Sequence, residues 1–239
     1  MSSTTKSEYI ALEETIKETW YNLQNDDVEI IFYKDHQNLR EKSVDPKRND
    51  SDLILPIDDG FYTLNQKTLM AFDWVCQNYE FEYLYRSNLG AFVDIRTILK
   101  FLDNKPKEKF YCGIHGIDRF YFGKPMKFIS GSGYFLSKDL VILALQNTHR
   151  WPWQVVDDVA LAYILIEING IKPSEDALRK DICDGNIQYV KGSEVVEFID
   201  EDLIYHYRLR SNNRNEDINM MRKIYEKNGR ESFKRNSSI

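Results

Sequence analysis

Apolar side chains recur at Tyr9, Leu12, Ile16, Trp20 and Leu23, a stripe at helical spacing over residues 7–24. The run Val28-Glu29-Ile30-Ile31-Phe32-Tyr33 is rich in β-branched and aromatic residues and predicts a buried strand. The chain is then polar from His36 to Ser51, read as a surface loop. Asp52 to Ile57 predicts a second strand, stopped by Asp58-Asp59-Gly60. Thr63 to Asn78 predicts a helix with Leu64, Leu69, Phe72 and Val75 on its apolar side. A third strand, Phe81 to Tyr85, runs into Arg86-Ser87-Asn88-Leu89-Gly90, and a further helix covers Asp94 to Leu102.

Strands alternating with helices at this spacing predict βαβ units, hence an α/β fold with a mostly parallel central sheet and flanking helices. Ligands of such sheets sit beyond the carboxyl ends of the strands. The segments there are Lys34-Asp35, Asp58 to Gly60 and Arg86 to Gly90. In the second half, residues 107–130 read as short aromatic-rich strands. Ser130-Gly131-Ser132-Gly133 reads as a glycine turn entering a helix, where glycine is needed for positive φ or for close backbone approach. An apolar helix covers 157–168, an aromatic strand Leu203 to Leu209, and a helix about 216–227.

The 239 residues carry a formal net charge of −6, which argues against a general nucleic-acid binder. Cys76, Cys112 and Cys183 are too few and too scattered for a disulfide framework or a zinc site. No run has the length and apolarity of a signal peptide or membrane span, so the expectation is a soluble, cytoplasmic protein.

Four segments in order resemble a GT-A glycosyltransferase of the β-1,3-galactosyltransferase/N-acetylglucosaminyltransferase and Fringe-like family. They are Glu14 to Trp20, Asp52-Leu53-Ile54 with Asp59 to Thr68, Ser130-Gly131-Ser132-Gly133-Tyr134 to Ser137, and Val156-Asp157-Asp158-Val159. The resemblance spans residues 13 to about 172. It implies a single GT-A-like domain, with a nucleotide-sugar-binding half at about 7–105, an acceptor half at about 106–210 and a polar C-terminal helix and tail over 211–239. It also implies an inverting transferase that moves a sugar from a nucleotide-diphospho-sugar donor, UDP-linked, to a hydroxyl of a glycan acceptor. The lack of an anchor fits a bacterial or viral enzyme of the cytoplasm.

One segment departs from the pattern. The family's Asp-x-Asp, whose carboxylates hold Mn²⁺, precedes a Phe-Val pair. Phe92-Val93 is present here, but the aspartate positions fall on Asn88, Leu89 and Gly90. A hard cation such as Mn²⁺ or Mg²⁺ wants anionic oxygens. This loop offers at most the Asn88 amide oxygen, with His206, placed like the late histidine of GT-A enzymes, as at most one further ligand. Metal dependence therefore stays open.

Inverting transfer needs a base for the acceptor proton and positive charge for the departing diphosphate. The resemblance points to Asp158 as base with Asp157 beside it, although the residues alone do not order the two; a bare helix cap is the other reading. On a strand, His206, Arg208 and Arg210 share a face able to clamp a diphosphate, unless they form a solvated basic edge strand. Arg86 offers its guanidinium to the same phosphates, or a surface ion pair. Ser87 and Asn88 lie in the same loop, and Ser130 to Gly133 face donor and acceptor in the family. Trp151 and Trp153 offer aromatic faces to an acceptor sugar, or are core. Lys34, Asp35 and Asp59 lie near the expected nucleotide edge, Asp59 being equally readable as a turn residue; Lys67 matches a lysine of the resembled family, or is a charge on the helix surface. His36, His115 and His149 show no metal-ligand pairing. The rival functions are a non-catalytic sugar-nucleotide or glycan-binding protein, and an interaction protein using its aromatic surface.

Overall fold

The computed structural model describes residue 1 and residues 7–35, 46–58, 60, 63–116, 119–121 and 123–236. In chain order its elements are helix α1 (Ser7–Glu18), strands β1 (Phe32–Asp35), β2 (Lys47–Asn49) and β3 (Asp52–Leu55), helix α2 (Leu64–Asn78), strands β4 (Tyr83–Ser87) and β5 (Ala91–Val93), and helix α3 (Ile95–Leu102). Strands β6 (Tyr111–His115), β7 (Arg119–Tyr121), β8 (Lys124–Met126) and β9 (Ile129–Ser137) follow, then helix α4 (Lys138–Gln146) and helix α5 (Asp157–Ala162), which continues as a π-helical stretch over Tyr163–Ile168. The chain closes with β10 (Leu178–Cys183), β11 (Asn186–Lys191), β12 (Glu194–Val196), β13 (His206–Leu209) and α6 (Arg214–Asn236).

The fold is mixed α/β, and the expected mostly parallel central sheet is replaced by small mixed sheets. Among the described strands, their order is β1-β3-β2, β12-β11-β10-β13-β5, β4-β9-β6 and β7-β8. Among the described strands only β1 with β3 and β10 with β13 pair in parallel. The crossover through α2 does not return β4 to the β1-β3 sheet. Instead the nine-residue strand β9 takes β4 on one edge and β6 on the other, both antiparallel. A cavity of about 1110 Å³, lined by Tyr33 and Leu53 on one side and by Tyr85 and Arg86 on the other, lies between the two sheets.

Several elements follow directly from local chemistry. Asp94 caps α3 by accepting a hydrogen bond from the Thr97 N–H at 3.2 Å. Asp184-Gly185, both at positive φ, make the two-residue turn that pairs Cys183 with Asn186. The predicted glycine turn at Ser130 to Gly133 is instead part of β9, and neither Gly131 nor Gly133 has positive φ. Strand β13 is not a basic edge: it lies between β10 and β5.

The larger core packs α1, α3 and α6 against β1, β5, β6, β10 and β13; the second packs α2, α4 and α5 against β9. Phe135 of β9 sits in an aromatic stack, with ring centroids 4.3 Å from Tyr85, 5.5 Å from Phe101 and 5.5 Å from Tyr205. Truncating a fully buried phenylalanine loses its transfer energy and leaves a cavity. Phe135→Ala is expected to lower unfolding free energy by about 3–5 kcal/mol in urea titrations. A loss below about 1 kcal/mol would contradict this packing.

Candidate active site

Strand β9 organises the site, with Asp157 and Asp158 at the start of α5 on one side of it. Asp157 is 4% exposed; its Oδ2 accepts from Arg86 Nη2 at 3.0 Å and from Thr68 Oγ1 at 2.8 Å. Arg86, from β4, is itself buried. Its Nε donates to Tyr33 OH at 3.4 Å, and its guanidinium lies over the Tyr134 ring at 5.8 Å. Burial opposes the charge on Arg86, but Asp157, Tyr33 and Tyr134 together hold its protonation well above the usual arginine range. Arg86 is thus committed to Asp157 rather than pointed at a ligand.

Asp158 is placed differently. Half-buried, it accepts, among the described residues, only from backbone N–H groups, Gly131 at 2.7 Å and Val159 at 2.9 Å. Burial and the neighbouring Asp157 charge push its carboxyl above the ordinary aspartate range, outweighing the two N–H donors and Arg86.

Helix α2 positions the pair. Asn65 and Thr68, three residues apart, share a face. Asn65 donates to the Val155 carbonyl at 2.6 Å and accepts from Trp151 Nε1 at 2.8 Å, pinning the segment before α5. Gly131 is glycine because a Cβ there would stand 2.6 Å from Arg86 Nη1 and 3.1 Å from Asp158 Oδ2. At Gly133 a Cβ would meet Tyr85 OH at 2.5 Å and His206 Nδ1 at 2.6 Å. Close approach, not positive φ, is what these glycines provide.

On the other side of β9, Ser132 Oγ accepts from Arg179 Nη1 at 2.8 Å and lies 3.0 Å from Ser130 Oγ. Arg179 also grips Asp181 through two nitrogens. Ser87 donates to the Ser132 carbonyl at 3.3 Å. His206 is buried, shares a hydrogen bond with Tyr85 OH through Nδ1, and has no partner at Nε2 among the described residues. Burial, with Arg179 and Arg208 nearby, holds its pKa well below the ordinary histidine value. Arg208 is half-buried and Arg210 exposed, and both line a cavity of about 750 Å³.

Other expected residues lie elsewhere. Lys34 joins Glu13 and Asp52, each at 2.7 Å, in a cluster that ties α1 to β1 and β3. Asp35 and Lys67 face each other at 3.7 Å, both buried. Trp151 is core, whereas Trp153 is exposed. His115 meets Glu175 at 3.1 Å. Asp59 and His36 fall outside the described residues. Thr68, Tyr33, Asn65 and Arg179 were missed; of these only the α2 residues carried a signal, as polar positions on the buried side of a predicted helix.

A divalent cation does not fit the Asn88 loop. Leu89 is 4% exposed, and a Cβ at Gly90 would stand 3.0 Å from the Leu209 carbonyl oxygen. The Asn88 amide oxygen is buried without a hydrogen-bond partner among the described residues, but it is neutral, and His206 sits beside two arginines. No group of three His, Cys, Asp or Glu able to hold a metal occurs among the described residues.

The Galactosyltransferase family model matches residues 13–177, from α1 through α5 to the start of β10. The chain belongs to the galactosyltransferase family. The matched span includes both β9 and the Asp157-Asp158 pair, and the four segments quoted from the sequence fall inside it. Among solved structures the chain is similar to a glycosyltransferase involved in the glycosylation of the major capsid of PBCV-1, at 12% identity and a TM-score of 0.49, covering 93% of this chain and 97% of that one. No curated protein matches it significantly. No helix among the described residues is long and apolar enough to cross a membrane.

The two aspartates are expected to respond oppositely to loss of charge. Asp157→Asn leaves Arg86 buried without its counter-ion and is expected to cost about 3–5 kcal/mol. A carboxyl whose folded pKa is raised stabilises the fold fully only below its unfolded value, and that stability is lost as pH rises through the folded value. Ionised Asp158 is therefore a burden at pH 7, and Asp158→Asn is expected to melt at or above the wild-type temperature. Thermal unfolding of both variants at pH 7 checks this; Asp158→Asn melting as low as Asp157→Asn would contradict it.

Proposed function

We propose that the chain is an inverting glycosyltransferase that moves a sugar from a nucleotide-diphospho-sugar, UDP-linked, to a hydroxyl group of a glycan acceptor, with Asp158 as base. The observation that carries this reading is the division within the pair. Asp157 is buried and taken by Arg86 and Thr68, while Asp158 is half-buried, bonded only to backbone N–H groups and raised in pKa.

A carboxylate raised toward neutrality is a better match for a hydroxyl proton than an ordinary aspartate. Asp158 takes the acceptor O–H proton as the oxygen attacks the anomeric carbon. The bond from that carbon to the diphosphate oxygen breaks on the opposite face, and its electron pair leaves with the nucleotide diphosphate. One base and one displacement give inversion. Asp157 touches no reacting atom in this scheme; with Arg86 it fixes the start of α5, a positioning role.

Hydrolysis and transfer assays across UDP-, GDP- and TDP-sugars test the reading. Asp158→Asn is expected to lower kcat by about 10²–10⁴ while leaving donor binding intact. The wild-type rate is expected to fall as pH drops through the raised Asp158 pKa, at higher pH than an ordinary aspartate would give. Wild-type turnover by Asp158→Asn, or no nucleotide binding under any condition, would overturn it.

A further inference from the structure

The loop where the family carries metal-binding aspartates is Asn88-Leu89-Gly90 here, without a carboxylate. Strand β13 lies against it. Leu209 N–H donates to the Gly90 carbonyl at 2.8 Å, and Arg208 pairs with Ala91 across the ladder, so Arg208 and Arg210 flank the loop on either side of Leu209. Both arginines line the cavity of about 750 Å³, which extends over Gln188 and Tyr189 of β11.

Among the described residues no carboxylate lies within ion-pair distance of Arg208 or Arg210. Asp181, the register neighbour of Arg208 on β10, is held by two nitrogens of Arg179. Glu197, exposed, is the other acidic residue lining the cavity. Three guanidinium groups thus gather around two carboxylates. Burial, with Arg179 nearby, pulls the Arg208 guanidinium below the usual arginine range, and the Asp181 charge offsets this only in part.

We propose that Arg208 and Arg210 form an anion site that takes the diphosphate of the nucleotide-sugar donor, in place of the divalent cation that aspartates would hold; this rests on the glycosyl-transfer reading above. Arginine suits the task because its planar fork meets two phosphate oxygens at once, and its charge does not depend on pH. As the sugar leaves, negative charge grows on the diphosphate oxygen, and a preplaced guanidinium stabilises it.

Calorimetric titration of the full chain with UDP and with inorganic pyrophosphate, first in EDTA and then with Mn²⁺, tests the site. Both probes are expected to bind in EDTA, and Arg208→Gln is expected to weaken them about 10- to 100-fold. Arg210→Gln, at the exposed end of the site, is expected to weaken them as well, and it carries the test if Arg208→Gln does not fold. Binding that requires Mn²⁺, or that is unchanged in both folded variants, would overturn the site. Sugar transfer that depends on Mn²⁺ and is lost in Asp158→Asn would sink the arginine site and leave the transfer reading standing. EDTA-resistant pyrophosphate binding with no turnover of any donor would keep the site and sink the transfer reading.

Discussion

The buried ion pair between Arg86 and Asp157 is the contact around which the site is arranged. Two charges removed from water attract strongly only when their remaining hydrogen-bonding groups are also satisfied. Here Thr68 completes Asp157, while Tyr33 and the Tyr134 ring surround Arg86. The pair therefore links β1, α2, β4, β9 and α5 through side chains alone. It also decides which carboxylate is available: with Asp157 spent, Asp158 is left half-buried and without an ion pair among the described residues, in a setting that resists its ionisation.

The glycines of β9 make this arrangement compatible with a close-packed interior. A side chain at Gly131 would strike Arg86 and Asp158, and one at Gly133 would strike Tyr85 and His206. The strand is bonded to Asp158 through Gly131 N–H and to Arg179 through Ser132 Oγ.

Helical periodicity made α2, α3 and the start of α5 legible, and β-branched runs located β3 and β4 to within a few residues. The sheet arrangement was not legible, because a strand–helix–strand order implies parallel pairing only if the returning strand rejoins the first. Here β9 captures β4 instead. The signal for the β10–β11 hairpin was present in Asp184-Gly185, a turn pair at positive φ. The Asp157-Asp158 pair and the Ser130 to Gly133 segment were found, but which aspartate is buried depends on Arg86, 71 residues away. Lys34 and Trp151 were polar-site and sugar-platform candidates whose partners, Glu13 with Asp52 and Asn65, come from distant segments. Arg179 gave no signal, standing in the charged run Arg179-Lys180-Asp181.

The account turns on Asp158 being the carboxylate that the fold keeps reluctant to ionise. Carbon-detected NMR titration of the aspartate carboxyl groups measures this without any substrate. The account predicts that Asp158 titrates above the ordinary aspartate value of 3.8, because burial and the Asp157 charge both oppose its ionisation. An Asp158 midpoint at or below that value would contradict the division of roles between the two aspartates.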